Sequence, residues 1–217
     1  MPARTDGSTG PQAAHASASV AAAAARTATR VGPNAIIQVV AALDDRCGHS
    51  VRNDILRAAA LPHYIDALPN EMVEERDVKR LFDTIVRRLP TTEADAILTD
   101  SGRRTARYVR ENRIPRAAQL LLRCLPRPVA ARLLLTAIAA NAWTFAGSGQ
   151  VSIRRLGGLS LDIAGNPFPT QGCPWHVAVI EGLFRALVSP LARVRHTTSR
   201  VDHRGPPTPV CRFDIAV

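Results

Sequence analysis

The 217-residue sequence has one lysine, Lys79, against 27 arginines, and only nine Phe, Trp and Tyr side chains. So few rings, with no dense basic run among them, exclude an evident base-stacking platform for nucleic acid. The net charge of +10 and pI near 11.0 still ask for an acidic partner, and a small molecule bearing carboxylates meets that demand as well as a phosphate backbone would. Four cysteines (Cys47, Cys124, Cys173, Cys211) are too few and too scattered for a disulfide scaffold. No apolar run approaches the roughly 18 residues of a membrane span, which leaves at most peripheral contact with a membrane. Nor does a Leu/Ile/Val core follow a basic start, as in a secretory signal. A reduced, cytoplasmic protein is the expectation. No Gly-rich loop joins a strand to a helix, and neither a Gly-x-Ser-x-Gly elbow nor a His-Glu-x-x-His pair occurs. Dinucleotide and phosphate-loop fingerprints are therefore missing.

What is present starts after residue 30. Residues 1–30 are mostly Ala, Ser, Thr, Gly and Pro, too poor in large apolar groups to offset ordering entropy, and they read as a disordered tail. Residues 31–217 read as one domain. Asn34 is placed to cap a helix carrying Ile36, Ile37, Val40 and Leu43, which Cys47-Gly48 ends. A short helix from Val51 to Ala60 follows. The stripe Val78, Leu81, Phe82, Ile85 and Leu89 is amphipathic and stops at Pro90. Further helices are expected from Thr92 towards Tyr108, from Pro115 to Leu125 and from Val129 to Ala142. The last is apolar nearly all round and is expected to be buried. Beyond a Gly147-Ser148-Gly149 turn the pattern alternates at 151–154 and 159–163, with Leu156-Gly157-Gly158 as a hairpin turn. A helix over 173–188 and strands over 194–198 and 210–217 complete an α+β order, N-terminal helices packed on a C-terminal antiparallel sheet.

Two constellations could carry chemistry. Cys173, His196, His203 and Cys211 are zinc-type donors near helix and strand ends, although their spacing fits no standard finger. Small buried thiols and a solvent-facing histidine are the plainer reading. The other is the ring-rich set Trp143, Phe145, Trp175, His176 and Phe184, with Phe168. Flat apolar walls and one imidazole suit a planar macrocycle, with His176 on its central metal. Ordinary core filling is the alternative. No catalytic residue can be named.

Several colinear segments resemble the bacteriochlorophyll 4-vinyl reductase family of phototrophic bacteria. They are Val31-Gly32-Pro33-Asn34-Ala35-Ile36-Ile37-Gln38, Leu61-Pro62-His63-Tyr64, Ile114-Pro115-Arg116-Ala117-Ala118-Gln119, Ala142 to Gly149 and Cys211-Arg212-Phe213. The resemblance implies a ligand-binding domain related to the vesicle-tethering and nitric-oxide-sensing haem folds. It implies a role in bacteriochlorophyll synthesis, where the ring-B vinyl group (position 4 in older numbering, 8 in newer) becomes ethyl. It also implies a zinc site onto which Cys173 and Cys211 map directly. His196 then stands at an acidic position and Ser199 at a cysteine, with His203 as a substitute ligand. The implied partners are a divinyl chlorophyll-precursor tetrapyrrole, other enzymes of the pathway and a second copy in a homodimer. Two functions follow: a tetrapyrrole carrier, or a genuine reductase drawing hydride from an external donor such as NADPH. A sensory ligand-binding module is a third.

Overall fold

The computed structural model describes residues 29–155, 158–201 and 208–217; residues 1–28 of the tail expected over 1–30, residues 156–157 of the expected hairpin turn and His203 lie outside them, while Arg30 already belongs to a strand. Eight helices precede or separate two small sheets: α1 (Asn34–Ala58), α2 (His63–Asp66), α3 (Glu75–Arg88), α4 (Thr91–Asn112), α5 (Arg116–Cys124), α6 (Arg127–Ala140), α7 (Trp143–Ala146) and α8 (Pro174–Leu187). Proline sets most of the breaks. Pro90, Pro115 and Pro126 each stand at an extended residue immediately before a helix, where the missing N–H costs nothing. Gly48 (φ 81°, ψ 167°) is non-helical and kinks α1, so the two helices expected on either side of it are observed, joined end to end across that kink. Asn34 does not cap it: Pro33 holds that position, and the Asn34 side chain accepts a hydrogen bond from Gln38.

The chain enters through β1 (Arg30–Val31), which pairs antiparallel with β2 (Val73–Glu74). The main sheet has strands β3 (Gln150–Arg154), β4 (Leu159–Ala164), β5 (Arg193–Val201) and β6 (Thr208–Ala216) in the order β3-β4-β6-β5, every neighbour antiparallel. α8 carries the chain from β4 over to β5, and β6 returns into the gap between them. The expected α+β order is thus observed.

The core lies between the sheet, α8 and the long helices α1 and α4. α4 and α8 cross at small residues: a Cβ on Gly102 would stand 2.5 Å from the Trp175 carbonyl oxygen, and one on Gly182 would stand 2.7 Å from Ala106 Cβ. Only a hydrogen at these positions lets the backbones approach so closely. That contact sets the depth of α8, and with it the position of Trp175. Elsewhere Glu75, first residue of α3, accepts hydrogen bonds from the Ser148 amide (2.7 Å) and hydroxyl (2.9 Å). The Gly147-Ser148-Gly149 turn, at φ +54° for Gly147, is therefore tied to a helix N-terminus, where a carboxylate is also favoured by the helix dipole.

α6 departs from expectation. Ala130, Ala131, Leu134, Leu135 and Ile138 are buried, but Leu133 and Val129 are 48% and 43% exposed. The helix lies at the rim of the domain, so one of its apolar stripes has nothing to pack on.

Candidate functional site

A cavity of ≈ 370 Å³ opens between the start of α1, the C-terminal half of α4, α6, α7 and α8. Its walls are mainly apolar: Val109, Leu134, Ile138, Phe145 and the α8 stripe Trp175, Val179 and Leu183, four residues apart and hence on one face. Trp143, Arg113, Asn141 and Ala137 line it and are also exposed, which places the mouth there. The Gly32 amide donates to the Thr144 carbonyl at 2.8 Å, joining the chain before α1 to α7 across one wall. Three of the family-like segments, distant in sequence, converge on this space through Gly32 and Pro33, Ile114, and Trp143 to Phe145. Trp175 is 1% exposed and its indole N–H has no hydrogen-bond partner among the described residues. Buried donors are almost always satisfied, so an unpartnered one is unusual.

Of the five ring-bearing residues expected at a binding wall, Trp143, Phe145 and Trp175 line the cavity; His176 and Phe184 do not. Both belong to the neighbouring stripe of α8 and turn into the core. His176 lies flat against Phe168 (5.8 Å between centroids), edge-on to Trp175 (4.9 Å), and 5.7 Å from Phe213. Its Nε2 is 3.3 Å from the Phe145 carbonyl oxygen. Burial holds its pKa down to about 4, so the ring is neutral at pH 7. The structure thus places His176 behind the wall, among core rings and outside the cavity lining. Tyr108, on α4, and Arg113, the residue that ends it, were not expected at the site, because nothing in that stretch of sequence separates them from an ordinary solvated stripe. His63 and Tyr64 pack ring to ring at 4.0 Å away from the cavity, with the Tyr64 hydroxyl donating to Asp77.

A second cluster lies at the other side of the α8 N-terminus. Ligand atoms of Cys173, His196 and Cys211 all lie within 4.8 Å of one another, and the two sulfurs are 3.7 Å apart. Two sulfurs on one tetrahedral zinc, each about 2.3 Å from the metal, would be about 3.8 Å apart. His196 Nε2 is buried and unpartnered among the described residues, as is Ser199 Oγ. Ser199 is three residues from His196, an odd step along β5, which turns it to the opposite sheet face and away from the cluster. Asn166 was not anticipated from the sequence. Its Nδ2 is 3.5 Å from Cys211 Sγ and 3.9 Å from Cys173 Sγ, while its Oδ1 accepts the Phe168 amide at 3.2 Å. The hydrogen bond between the two thiols pulls the Cys211 pKa down, helped by Asn166 and His196 against the cost of burial; the same bond, with burial, pushes Cys173 up. The two sulfurs are within hydrogen-bonding reach of each other, and either can be the donor. Cys173 also has a left-handed backbone (φ 44°, ψ 50°), strained for a residue with a Cβ. The residues fit a zinc ion: two sulfurs and an imidazole are its preferred donors, with the fourth position open.

The chain is 39% identical to the bacteriochlorophyll synthase 23 kDa chain of Cereibacter sphaeroides over 194 residues, 87% of this chain and 91% of that one. The protein of the same name from Rhodobacter capsulatus is 34% identical over 183 residues, 82% of this chain and 84% of the other. The chain belongs to this family. The family is named for bacteriochlorophyll synthesis, in agreement with the segments that resemble it. No protein-family model matches the chain. Among solved structures it is similar to H-NOX domains: a Cs H-NOX variant (TM-score 0.53, 12% identity, 86% of this chain and 97% of that one) and the H-NOX protein of K. algicida (0.52, 9%, 85% and 96%). At such identities the likeness shows the fold alone, and that fold is the one expected. No helix among the described residues is long and apolar enough to cross a membrane.

Proposed function

We propose that this chain serves bacteriochlorophyll biosynthesis as a tetrapyrrole carrier, holding a divinyl precursor and presenting it for reduction of the 4(8)-vinyl group. The observation that carries this reading is the cavity: apolar walls, a buried indole N–H without a partner, and an arginine at the mouth. A volume of ≈ 370 Å³ lies within the range of small-molecule sites. It takes the apolar edge of a macrocycle and leaves a carboxylate-bearing edge at the mouth, where Arg113 and Trp143 stand. Family membership supplies the pathway, and the H-NOX domains that share the fold include ones studied for haem distortion. A vinyl reduction needs a hydride donor, which side chains do not supply. The missing dinucleotide fingerprint favours a carrier over a reductase that works alone.

The thiol–imidazole cluster has a supporting part in this reading. Zinc held by Cys173, His196 and Cys211 would supply a structural cross-link between the start of α8 and strands β5 and β6. Cys173 precedes Trp175 by two residues, so whatever fixes the thiol also fixes a wall of the cavity.

The test is a turnover count. Substoichiometric purified protein is mixed with divinyl chlorophyllide and NADPH, and vinyl and ethyl pigments are separated by chromatography. Pigment that co-elutes with the protein and keeps its vinyl group supports the carrier. Ethyl product well above the protein concentration would replace that reading by a reductase with an external donor. Pigment that does not co-elute would remove the cavity as its site.

A further inference from the structure

From Asn112 to Leu161 the chain has seven arginines and no acidic residue, which is seven of its ten excess positive charges in 50 residues. That stretch includes α5 and α6. On them Leu120, Leu121, Val129 and Leu133 are 64%, 56%, 43% and 48% exposed, and α5 has no fully buried residue at all. Arg113, Arg116, Arg127 and Arg132 are exposed and form no ion pair among the described residues, while Arg123 reaches the Ala186 carbonyl. The acidic residues that bound the stretch in sequence are Glu111, paired with Arg110, and Asp162, paired with Arg154 and Arg212. Elsewhere several arginines are balanced, as in Arg46–Glu93, Arg80–Asp77 and Arg104 with Asp45 and Asp100, while Arg87, Arg88, Arg103, Arg107, Arg193 and Arg195 form no ion pair among the described residues and are not set among exposed leucines of one face.

We infer that the α5–α6 face docks on an anionic lipid bilayer. Leucines set among unpaired arginines are what an interface of acyl chains beneath negative headgroups requires: the apolar side chains enter the acyl boundary and the guanidinium groups stay with the phosphates. A protein partner would have to be both acidic and apolar over this whole face, whereas an anionic bilayer is so everywhere. The face adjoins the cavity mouth. Leu133 lies one turn before Ala137 on the same stripe of α6, and Ala137 and the 57% exposed Trp143 both line the cavity. Docking would turn the mouth towards the bilayer, so that an apolar cargo passes without crossing water. The inference itself rests on the α5–α6 surface and not on the carrier reading.

The test uses the full chain, unloaded, with vesicles of neutral phosphatidylcholine or of the same lipid with a third phosphatidylglycerol. Cys124 is the exposed cysteine of the four, and with Cys47→Ser it accepts an environment-sensitive fluorophore at the end of α5. The wild type should co-sediment with the anionic vesicles, lose binding in high salt, and show a blue shift of the label. Reversal of Arg116, Arg127 and Arg132 to Glu should lower vesicle affinity by at least about tenfold. Leu120→Ser with Leu121→Ser should abolish the blue shift. A control with Arg87→Glu, Arg88→Glu and Arg76→Glu on α3 carries the same net charge and should keep the binding. The inference is overturned if anionic and neutral vesicles bind equally, if the α3 control loses as much as the α5–α6 variant, or if an acidic protein and not a vesicle shifts the label. Because no pigment is present, its failure would leave the cavity reading standing.

Discussion

Cys173 and Trp175, two residues apart at the start of α8, have surroundings of opposite kind. Around Cys173 the polar groups are crowded: a second sulfur at 3.7 Å, an amide donor from Asn166 and a buried imidazole nitrogen close by. Around Trp175 they are withheld: it lines a mainly apolar cavity, and its buried indole N–H has no partner among the described residues. The first arrangement fixes a backbone and the second waits for a guest. A rigid wall beside an unfilled cavity is what selective binding needs, since a wall that collapsed inward would cancel the space it borders.

The comparison breaks most severely if the cluster loses its metal. Elemental analysis of freshly purified protein should give close to one zinc per chain, and protein without metal would discard the zinc reading. With free zinc a thousandfold above its Kd, the metal should contribute about 4 kcal/mol to unfolding stability, lost on chelation and absent in Cys211→Ser. The next largest effect comes from behind the wall. Gly102→Ala sets a methyl against the Trp175 carbonyl and should destabilise by about 3 kcal/mol in urea titrations while also lowering pigment affinity. A change that lowered stability and left affinity intact would uncouple the α4–α8 crossing from the cavity.

His176 sharpens the comparison through pH. Its pKa is held down to about 4, against about 6.5 in the unfolded chain, so between those values the unfolded state binds the extra proton. The stability this contributes is complete above pH 6.5 and falls as pH drops towards 4, by up to about 1.4 kcal/mol per pH unit. His176→Asn should flatten that slope in denaturation curves taken from pH 4 to 7, with pigment binding at pH 7 little changed. The smallest effect is Trp175→Phe. It removes the N–H and keeps the ring, and should weaken pigment binding by about fivefold, near 1 kcal/mol, with stability almost unchanged. Equal affinity in equilibrium dialysis would show that the indole N–H is not a ligand contact.

The sequence made the frame legible and the cavity only partly so. Proline marks the helix starts at 91, 116 and 127, and alternation marks β3 to β6, because both are local effects of backbone chemistry. Gly48 was readable as the break between two helical segments, and α1 is kinked there, with Ile55 and Leu56 beyond the kink buried in the core. Trp143, Phe145 and Trp175 could be chosen as ring-bearing residues. The stripe on which each falls depends on how α8 is rotated against the sheet, which is why His176 and Phe184 lie outside the cavity lining. Cys173, His196 and Cys211 have no telling spacing; residue type and the family resemblance pointed to them, and they meet because β6 enters between β4 and β5. Asn166 offered no signal.

Both tryptophans of the chain stand at the cavity, one wet and one dry: Trp143 is 57% exposed and Trp175 1% exposed. All indole emission from the molecule therefore originates at one place. Its red component belongs to the mouth and its blue component to the interior, and an occupant that absorbs near those wavelengths will quench them to different extents. The protein carries a two-colour depth gauge for whatever it binds, with no label added.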